Sequence, residues 1–352
     1  MHNTSSKIEK IKAELRNEFR LFFSAGGKLP GQRTLASRLG ASLSTIDRAL
    51  LELEQEGLVQ RRHGSGTFVT EHSAILRSCS VAVVLMRNAG LPPSYWYHPA
   101  LRALSEELSK KGHATFYYYV EDLDVTQALL PQLARQGNHA AVVLAGVTPD
   151  AWIDEVKASG MPVLLLDHVP LGNSALPYVT SDHEAGIAAA VAHLKKLGHR
   201  RIGFFATNLL GNFLLRFESF CIAMGELALP LRRECIIRHW QPEGGREQLA
   251  RLFASPSEAP TAFVCGNDHV AAMLITELER LGLQVPRDVS IVGFDAEPPN
   301  EFIPPGLTSL RVDRLLLGQK TALLLLERLA GHTAQPAILS APLVVGTTTR
   351  KI

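Results

Sequence analysis

The chain has 352 residues, of which 46% are apolar and 20% are charged. This length predicts two or three domains, and this composition is typical of a globular protein with a well-formed core. No apolar run reaches the roughly 18 residues that a membrane-spanning helix needs. The N-terminal stretch has no apolar signal region and no cleavage site, so we expect a cytoplasmic protein that contacts no membrane.

Charge is distributed unevenly along the chain, although the formal net charge is only +2. The first 78 residues hold 12 Lys and Arg against 8 Asp and Glu, and the remainder carries a net charge of −2. A small basic module joined to a slightly acidic body is typical of a DNA-binding domain on a soluble partner domain. A basic face that is merely solvated would give a similar contrast.

The four cysteines lack the CxxC spacing of a metal site and lie in apolar stretches. We therefore expect reduced core thiols in a cytosolic protein, with neither a metal nor a cofactor. These cysteines are Cys79, Cys221, Cys235 and Cys265.

Helical periodicity runs through the N-terminal region. Apolar residues between positions 7 and 23 share one helical face, and Gly26-Gly27 ends that pattern. Between positions 29 and 53, Leu and Ile recur three, four and seven residues apart, with the turn Gly40-Ala41-Ser42 in the middle. Two helices that meet at such a turn form a helix-turn-helix.

The sequence also predicts where the second helix begins and ends, and that a hairpin follows it. Either Ser42 or Ser44 can cap the helix, Asp47 suits its first turn, and Gly57 suits its C-terminal end. Two β-prone runs then flank the turn His63-Gly64-Ser65-Gly66, which predicts a basic-edged β-hairpin, or wing.

The stretch LPGQRTLASRLGASLSTIDRALLELEQEGLVQRRHGSGTFV (29–69) resembles the winged-helix DNA-binding domain of the GntR family, with helices, turn and wing in order. Many members carry arginine at the positions of Leu43 and Asp47, whereas here the basic residue is Arg48. One residue is about 100° of helix rotation, so the family's base contacts do not transfer directly to this chain.

The resemblance and the helical pattern together select candidate DNA contacts. Ser44, Thr45 and Arg48 share the face opposite the apolar stripe, and hydroxyls and guanidinium groups suit phosphates and guanine edges. Arginines in the wing add salt-dependent affinity. A capping role for Ser44, a merely solvated helix face and a plain β-turn are the alternatives. The predicted contacts are Arg33, Ser44, Thr45, Arg48, Arg61, Arg62, His63 and Gly64.

From Cys79 onward, short apolar strands alternate with helices, and the alternation repeats. This pattern predicts parallel βαβ units in two doubly wound lobes, with a ligand cleft at the carboxyl ends of the strands. The predicted strands are 80–86, 114–120, 140–145, 163–166, 178–180, 202–206, 235–238, 262–265, 290–294 and 341–347. The predicted helices are 99–111, 125–135, 152–159, 184–197, 216–227, 245–253, 269–281 and 322–329.

Four stretches resemble the ligand-binding domain of the LacI/GalR repressors, which is similar to the periplasmic sugar-binding proteins. They are VTSDHEAGIAAAVAHLKKLGHRRIGFF (179–205), CGNDHVAAMLITELERLGLQVPRDVSIVGFD (265–295), IPPGLTSLRVDRLLLGQKTALLLLERL (303–329) and APLVVGTTT (341–349). A GntR-type head on this body is similar to the AraR-type group of sugar-responsive regulators.

The combined resemblance implies an α/β architecture: an N-terminal winged helix-turn-helix (1–70), a linker (71–78) and a two-lobed, periplasmic-binding-protein-like effector domain (79–352). It also implies a homodimeric, sequence-specific DNA-binding transcriptional regulator, expected to be a repressor. Its partners would be double-stranded operator DNA and a small effector held between the lobes. A sugar is the first choice of effector, and purines remain an alternative.

Four polar residues lie at the carboxyl ends of predicted strands and, by resemblance, match effector-contacting positions: Asp167, Arg216, Asn267 and Asp295. Carboxylates accept hydroxyl protons, and arginine and asparagine donate to ring and hydroxyl oxygens, which suits a sugar. A helix cap or turn role is the alternative for each carboxylate.

Neighbouring residues have a less specific pattern. Asp182 and Asp268 are interpreted as capping or turn residues. Trp240 is a candidate for stacking on the apolar face of a pyranose, with a core position as its alternative, and Tyr97 and His98 are candidates from the first lobe.

Two further classes of function are an enzyme and a sensor that docks a protein. No GxSxG, HExxH, P-loop or Rossmann motif occurs in the required context, so we expect no enzymatic activity. The second hypothesis is a cytosolic sugar-binding sensor whose N-terminal domain docks a protein partner instead of DNA.

Overall fold

A computed structural model provides the three-dimensional structure. It describes residues 8, 10–12, 14–15, 26–62, 64–70, 80–86, 93–120, 133, 139–146, 153–154, 157–158, 160–170, 176–300 and 302–352. The chain divides into two compact units. The first comprises Met1–Leu166, Pro170–Tyr178 and Gly318–Pro336, and the second comprises Asp167–Val169, Val179–Leu317 and Ala337–Ile352.

The described helices and strands follow one another in the predicted alternation. The helices are α1 (Gln32–Arg38), α2 (Leu43–Gln55), α3 (Pro93–Ser109), α4 (His183–Lys196), α5 (Asn212–Glu226), α6 (Pro242–Leu252), α7 (Asp268–Arg280) and α8 (Arg314–Leu329). The strands are β1 (Val59–Arg62), β2 (Gly66–Val69), β3 (Val81–Met86), β4 (Thr115–Val120), β5 (Ala141–Ala145), β6 (Val163–Leu166), β7 (Tyr178–Ser181), β8 (Ile202–Phe205), β9 (Ile236–Ile237), β10 (Ala262–Cys265), β11 (Ser290–Asp295), β12 (Thr308–Arg311), β13 (Ala337–Leu339) and β14 (Leu343–Val344).

Three sheets are formed by the described strands. β1 and β2 make an antiparallel hairpin, one six-stranded sheet has the order β14-β12-β11-β10-β8-β9, and the other has the order β13-β7-β6-β5-β3-β4. Pairings among β8 to β12 are parallel, and β14 joins antiparallel. The carboxyl ends of β8, β10 and β11 therefore meet at one edge, where α/β sheets bind ligands.

The N-terminal head has its own apolar core. Leu35 from α1 packs with Ile46, Leu50 and Leu53 from α2, and all four side chains are buried. Ile8, Ile11 and Leu15 join this core from described helical residues, as the N-terminal periodicity predicts. The head is thus a helix-turn-helix with a hairpin, and the predicted α/β class with an N-terminal winged helix-turn-helix is confirmed.

Several predicted boundaries were wrong because proline and polar residues were given too much weight. Pro99 lies inside α3, which begins at Pro93; α5 begins four residues before Arg216; and α8 begins at Arg314 and not at residue 322. The strands β12 and β13 were missed, and the predicted strand 341–347 is reduced to Leu343–Val344. Strands of two to four residues such as these carry little periodicity.

Some predictions fall wholly or mostly outside the described residues. They include the linker 71–78, Cys79, His63 and most of the predicted helix 125–135, of which only Leu133 is described and is helical. The proposed boundaries 1–70, 71–78 and 79–352 therefore stay a prediction. In the part of the chain that is described, none of the helices is both long and apolar enough to span a membrane.

Candidate functional site

The exposed face of the head begins at the N-cap of α2. Ser42 is the cap: its hydroxyl accepts from the Thr45 backbone N–H at 3.2 Å and lies 2.6 Å from the Thr45 hydroxyl. Ser44 is exposed, with its hydroxyl 2.9 Å from that of Ser42. The choice between Ser42 and Ser44 is therefore settled, and the Ser44 side chain points to the exposed face.

Charged side chains on α1 and α2 differ in how far they are engaged. Arg33 is exposed, and the Arg48 side chain is 68% exposed with Glu52 at 3.5 Å. Asp47 accepts from Gln32 Nε2 at 2.9 Å and from Arg61 Nη2 at 2.5 Å. Asp47 thus ties α1 and the wing to α2, which sequence reasoning did not anticipate.

The described basic side chains of the wing differ in exposure. Arg61 is partly buried, bonded through its guanidinium to Asp47 and through its backbone N–H to Glu54 at 2.8 Å. Arg62 is exposed and lies over the Phe68 ring, 4.9 Å from its centroid. Gly64 has φ +70° in open surroundings, a conformation that favours glycine at the wing tip. His63 is not among the described residues.

The buried polar cluster of the second unit centres on Arg216. From the second turn of α5, its guanidinium donates to the Gly266 carbonyl at 2.7 Å, to Asp295 Oδ1 at 3.3 Å and to His183 Nδ1 at 3.4 Å. Its Cζ atom lies over the Phe294 ring, 3.7 Å from the centroid. The side chains of Arg216 and Asp295 are only 4% and 3% exposed, so this is a desolvated ion pair.

His183, at the start of α4, was missed by sequence reasoning although it lies within the quoted stretch SDHEAG. Its Nε2 is 3.3 Å from the Thr180 hydroxyl, and its ring lies 5.4 Å from that of Phe294. Burial and the Arg216 charge hold the pKa of His183 well below its usual range. A neutral imidazole can accept the Arg216 N–H bond without adding charge.

Asp295 ends β11 on an unusual backbone conformation. Its φ is +111° and that of Ala296 is +45°. Residues other than glycine rarely adopt positive φ angles. Burial raises the pKa of the Asp295 carboxyl well above its usual range; Arg216 opposes this shift, and Asp268, Glu297 and Asp167 reinforce it. Neighbouring carboxylates therefore lie near enough to Asp295 to oppose its ionisation.

Asp167 follows β6 and adjoins the same cluster. It is buried, has φ +55°, and donates its backbone N–H to the Val179 carbonyl at 2.7 Å. Its carbonyl accepts from Asn212 Nδ2 at 3.1 Å. The Asn212 side chain also hydrogen-bonds to His183, which opposes the fall in the His183 pKa. Asn212 was not predicted as a site residue.

Asn267 and Asp268 are adjacent residues with different bonding partners. Asn267 is the N-cap of α7, since its side chain accepts from the Val270 N–H at 2.9 Å. Asp268, interpreted from the sequence as a cap or turn residue, is fully buried and accepts from the Glu297 N–H and the Ser309 hydroxyl. Asp182 does cap α4, accepting from the Ala185 N–H at 2.9 Å.

The three aromatic and histidine candidates are placed differently. Trp240 is 5% exposed and packs on Phe205 at 5.1 Å between ring centroids, within the apolar core; this favours its alternative as a core residue. Tyr97 and His98 lie on α3 of the first unit, where Tyr97 is half-buried and His98 is exposed. Among the described residues, no group of His, Cys, Asp and Glu could hold a metal ion.

Two family models match the chain. Residues 7–69 match the bacterial regulatory proteins of the gntR family, and residues 191–349 match the periplasmic binding protein-like domain. The chain is 28% identical over 315 residues to the arabinose metabolism transcriptional repressor of Geobacillus stearothermophilus, spanning 85% of this chain and 84% of that protein. It is 29% identical over 238 residues to the HTH-type transcriptional repressor PurR of Glaesserella parasuis, spanning 67% and 69%.

Solved structures share the fold. A LacI family transcriptional regulator from Enterococcus faecium with bound ribose is 26% identical, with a TM-score of 0.63, and the alignment covers 77% of this chain and 99% of that one. Fold and matches define the class: a GntR-type winged helix joined to a periplasmic-binding-protein-like domain of LacI/GalR type. The chain is a DNA-binding transcriptional regulator of this combined architecture.

Proposed function

We propose that the protein is a homodimeric repressor whose winged helix reads operator DNA under the control of a neutral, polyhydroxylated effector, a carbohydrate being the first choice. The effector binds at the strand ends of the second unit. The observation that carries this proposal is the buried Arg216–Asp295 pair with Asp167 beside it. Buried polar groups of this kind select ligands that can complete their hydrogen bonds.

The charge of the cluster argues for a neutral effector. Asp295 pairs with Arg216, and the nearby carboxylates of Asp167, Asp268 and Glu297 add to the burial that raises its pKa. A phosphorylated or acidic effector would meet repulsion here. Sugar hydroxyls would instead donate to the carboxylates. Asn267, whose Oδ1 already accepts its capping bond, would contribute mainly its N–H groups.

The DNA-contacting surface is assigned from exposure. Arg33, Ser44, Arg48, Arg62 and Gly64 are exposed on the head and are proposed to contact phosphates or base edges. Thr45 and Arg61 are partly buried and bonded within the head, so their contribution is to shape the surface as well as to touch DNA. His63 is retained as a wing contact from the sequence alone.

The proposal is tested by selecting an operator from a random duplex library and measuring its affinity with and without candidate effectors. The panel comprises D-ribose, L-arabinose, D-galactose, cellobiose, hypoxanthine and guanine. A sugar at about 100 times its dissociation constant should raise the unfolding free energy by about 2.7 kcal/mol. If only the nucleobases stabilise the protein, the effector is a purine and not a carbohydrate. If the protein sediments as a monomer bound to one half-site, the homodimer is excluded.

The double variant Arg33→Ala, Arg48→Ala distinguishes DNA binding from the second hypothesis, in which the head docks a protein. Both side chains are exposed, so their loss should leave the head folded. Binding to DNA should weaken, and the salt dependence should become shallower by about one counterion per lost phosphate contact. Arg61→Ala is a poorer test because it also removes the bond to Asp47. Wild-type protein without affinity for any duplex at low salt would favour the docking hypothesis.

A further inference from the structure

The turn that follows β11 carries Asp295 in a conformation that its own sequence does not favour. Asp295 and Ala296 have consecutive positive φ angles of +111° and +45°, although neither is glycine. Such a conformation persists only where surrounding contacts impose it. The direction of the Asp295 carboxylate toward Arg216 therefore depends on whatever holds this turn.

Asp268 supplies that restraint from the first turn of α7. Its Oδ2 accepts from the Glu297 N–H at 2.7 Å, and its Oδ1 accepts from the Ser309 hydroxyl at 2.5 Å. The same Ser309 oxygen accepts from the Ala296 N–H at 3.0 Å. One carboxylate thus fixes two successive backbone N–H groups of the turn, one directly and one through Ser309.

The residues packed around Asp268 leave room for its carboxylate in this position. Its side chain is fully buried, and a Cβ atom added to Gly293 would lie only 2.2 Å from its Oδ1. Glycine at position 293 therefore makes room for the carboxylate beside β11. The N-cap of α7 is Asn267, so Asp268 is not needed to start the helix.

We propose that Asp268 is a positioning residue for effector binding, which sets the turn 295–297 so that Asp295 faces Arg216 and the effector. This inference rests on the proposed function of the second unit. Asp268 is fully buried, and its hydrogen bonds go to Glu297 and Ser309 and not to Arg216. Its effect is transmitted through Ser309 and the backbone of Ala296 and Glu297.

The test compares Asp268→Ala, Asp268→Asn and Ser309→Ala with Asp182→Ala. The last variant is the matched control, because it removes a carboxylate that caps a helix without holding the turn. Affinity is measured by calorimetry with whichever of D-ribose, L-arabinose and D-galactose binds the wild type most tightly. All variants are measured at a temperature where circular dichroism shows them folded.

Asp268→Ala is expected to weaken sugar binding by about tenfold or more, since small misplacements of a binding group are costly. Asp268→Asn should recover most of the affinity, because its oxygen can still accept from Glu297 while its amide donates to Ser309. Ser309→Ala should weaken binding without altering any charge, and it decides the matter if Asp268→Ala does not fold. Asp182→Ala should change affinity by less than about twofold while lowering the melting temperature.

A second readout needs no sugar. The Nε–H NMR signal of Arg216, identified by its loss in Arg216→Lys, should move in Asp268→Ala and Ser309→Ala and stay in place in Asp182→Ala. Unchanged affinity and an unmoved signal in both turn variants would overturn the positioning role, as would equal losses in the alanine and asparagine variants. If no sugar binds the wild type, the carbohydrate proposal fails, and the NMR signal alone decides the role of Asp268.

Discussion

The head and the second unit place charge in opposite ways. Arg48 on the head is 68% exposed, whereas Arg216 and Asp295 in the second unit are 4% and 3% exposed. Exposed charges add little to stability and act over distance on a polyanion, with a strong dependence on salt. Buried charges are strongly directional and tolerate few alternatives. The contrast suits a molecule that searches along DNA with one surface and discriminates among small molecules with the other.

The largest difference between the two regions should appear on removing one arginine from each. Arg216→Ala leaves Asp295 buried without its cation and should lower the unfolding free energy by about 3 kcal/mol at pH 7.5. The deficit should shrink in acid, because the already raised pKa of Asp295 lets it take up a proton. Urea denaturation at pH 7.5 and pH 5 measures both effects, and an unchanged midpoint would show that the pair is not buried in solution.

A smaller effect should come from pH alone. Burial raises the pKa of Asp268 to about 6, against an ordinary value of 3.8, while its bonds to Ser309 and Glu297 oppose the shift. The folded protein thus holds this proton more tightly than the unfolded chain, so the resulting stability is present in acid and lost as pH rises through about 6. Compared with Asp268→Asn, wild type should gain about 1.4 kcal/mol between pH 7.5 and pH 5. No relative gain would mean that Asp268 titrates normally.

The head offers an intermediate case at the Ser42 cap. Ser42→Ala removes the acceptor of the Thr45 N–H and should lower the unfolding free energy of the head by about 1 kcal/mol. Ser44→Ala, the neighbouring control, should cost clearly less because Ser44 does not cap the helix. Thermal unfolding followed by circular dichroism compares the two, and equal losses would contradict the assignment of the cap.

The smallest change in stability is expected for Arg48→Ala, at under about 0.5 kcal/mol, since its contact with Glu52 is an exposed pair on one helix face. Its affinity for duplex DNA should nevertheless fall, and the slope of log affinity against log salt should decrease by about one. Fluorescence anisotropy at several salt concentrations measures this slope. An unchanged slope would remove Arg48 from the phosphate contacts.

The sequence predicted the head more fully than the second unit, for physical reasons. Two features of the head can be recognised from neighbouring residues alone. They are the apolar period of α1 and α2 and Gly57 at the C-terminal end of α2, whose φ is +73°. The roles of Asp47 and Arg61 depend on a contact 14 residues apart, which no local pattern encodes.

In the second unit, strand ends correctly indicated that Arg216 and Asp295 would meet. What could not be predicted was which neighbour of a strand end turns inward. Asn267 and Asp268 are adjacent, and only the bonds of Asp268 to Ser309 and Glu297 distinguish the buried carboxylate from the cap. Likewise, Trp240 is a residue type expected to stack on a sugar, but tertiary packing buries it against Phe205.

The measurement that bears most directly on the account is the affinity of a selected operator duplex with and without a saturating sugar from the panel. We predict that wild type binds the duplex and that one sugar changes this affinity by about tenfold or more. Arg216→Ala should still bind the duplex but no longer respond to the sugar. A protein that binds no duplex at low salt, or whose binding is indifferent to every sugar that stabilises it, would contradict the account.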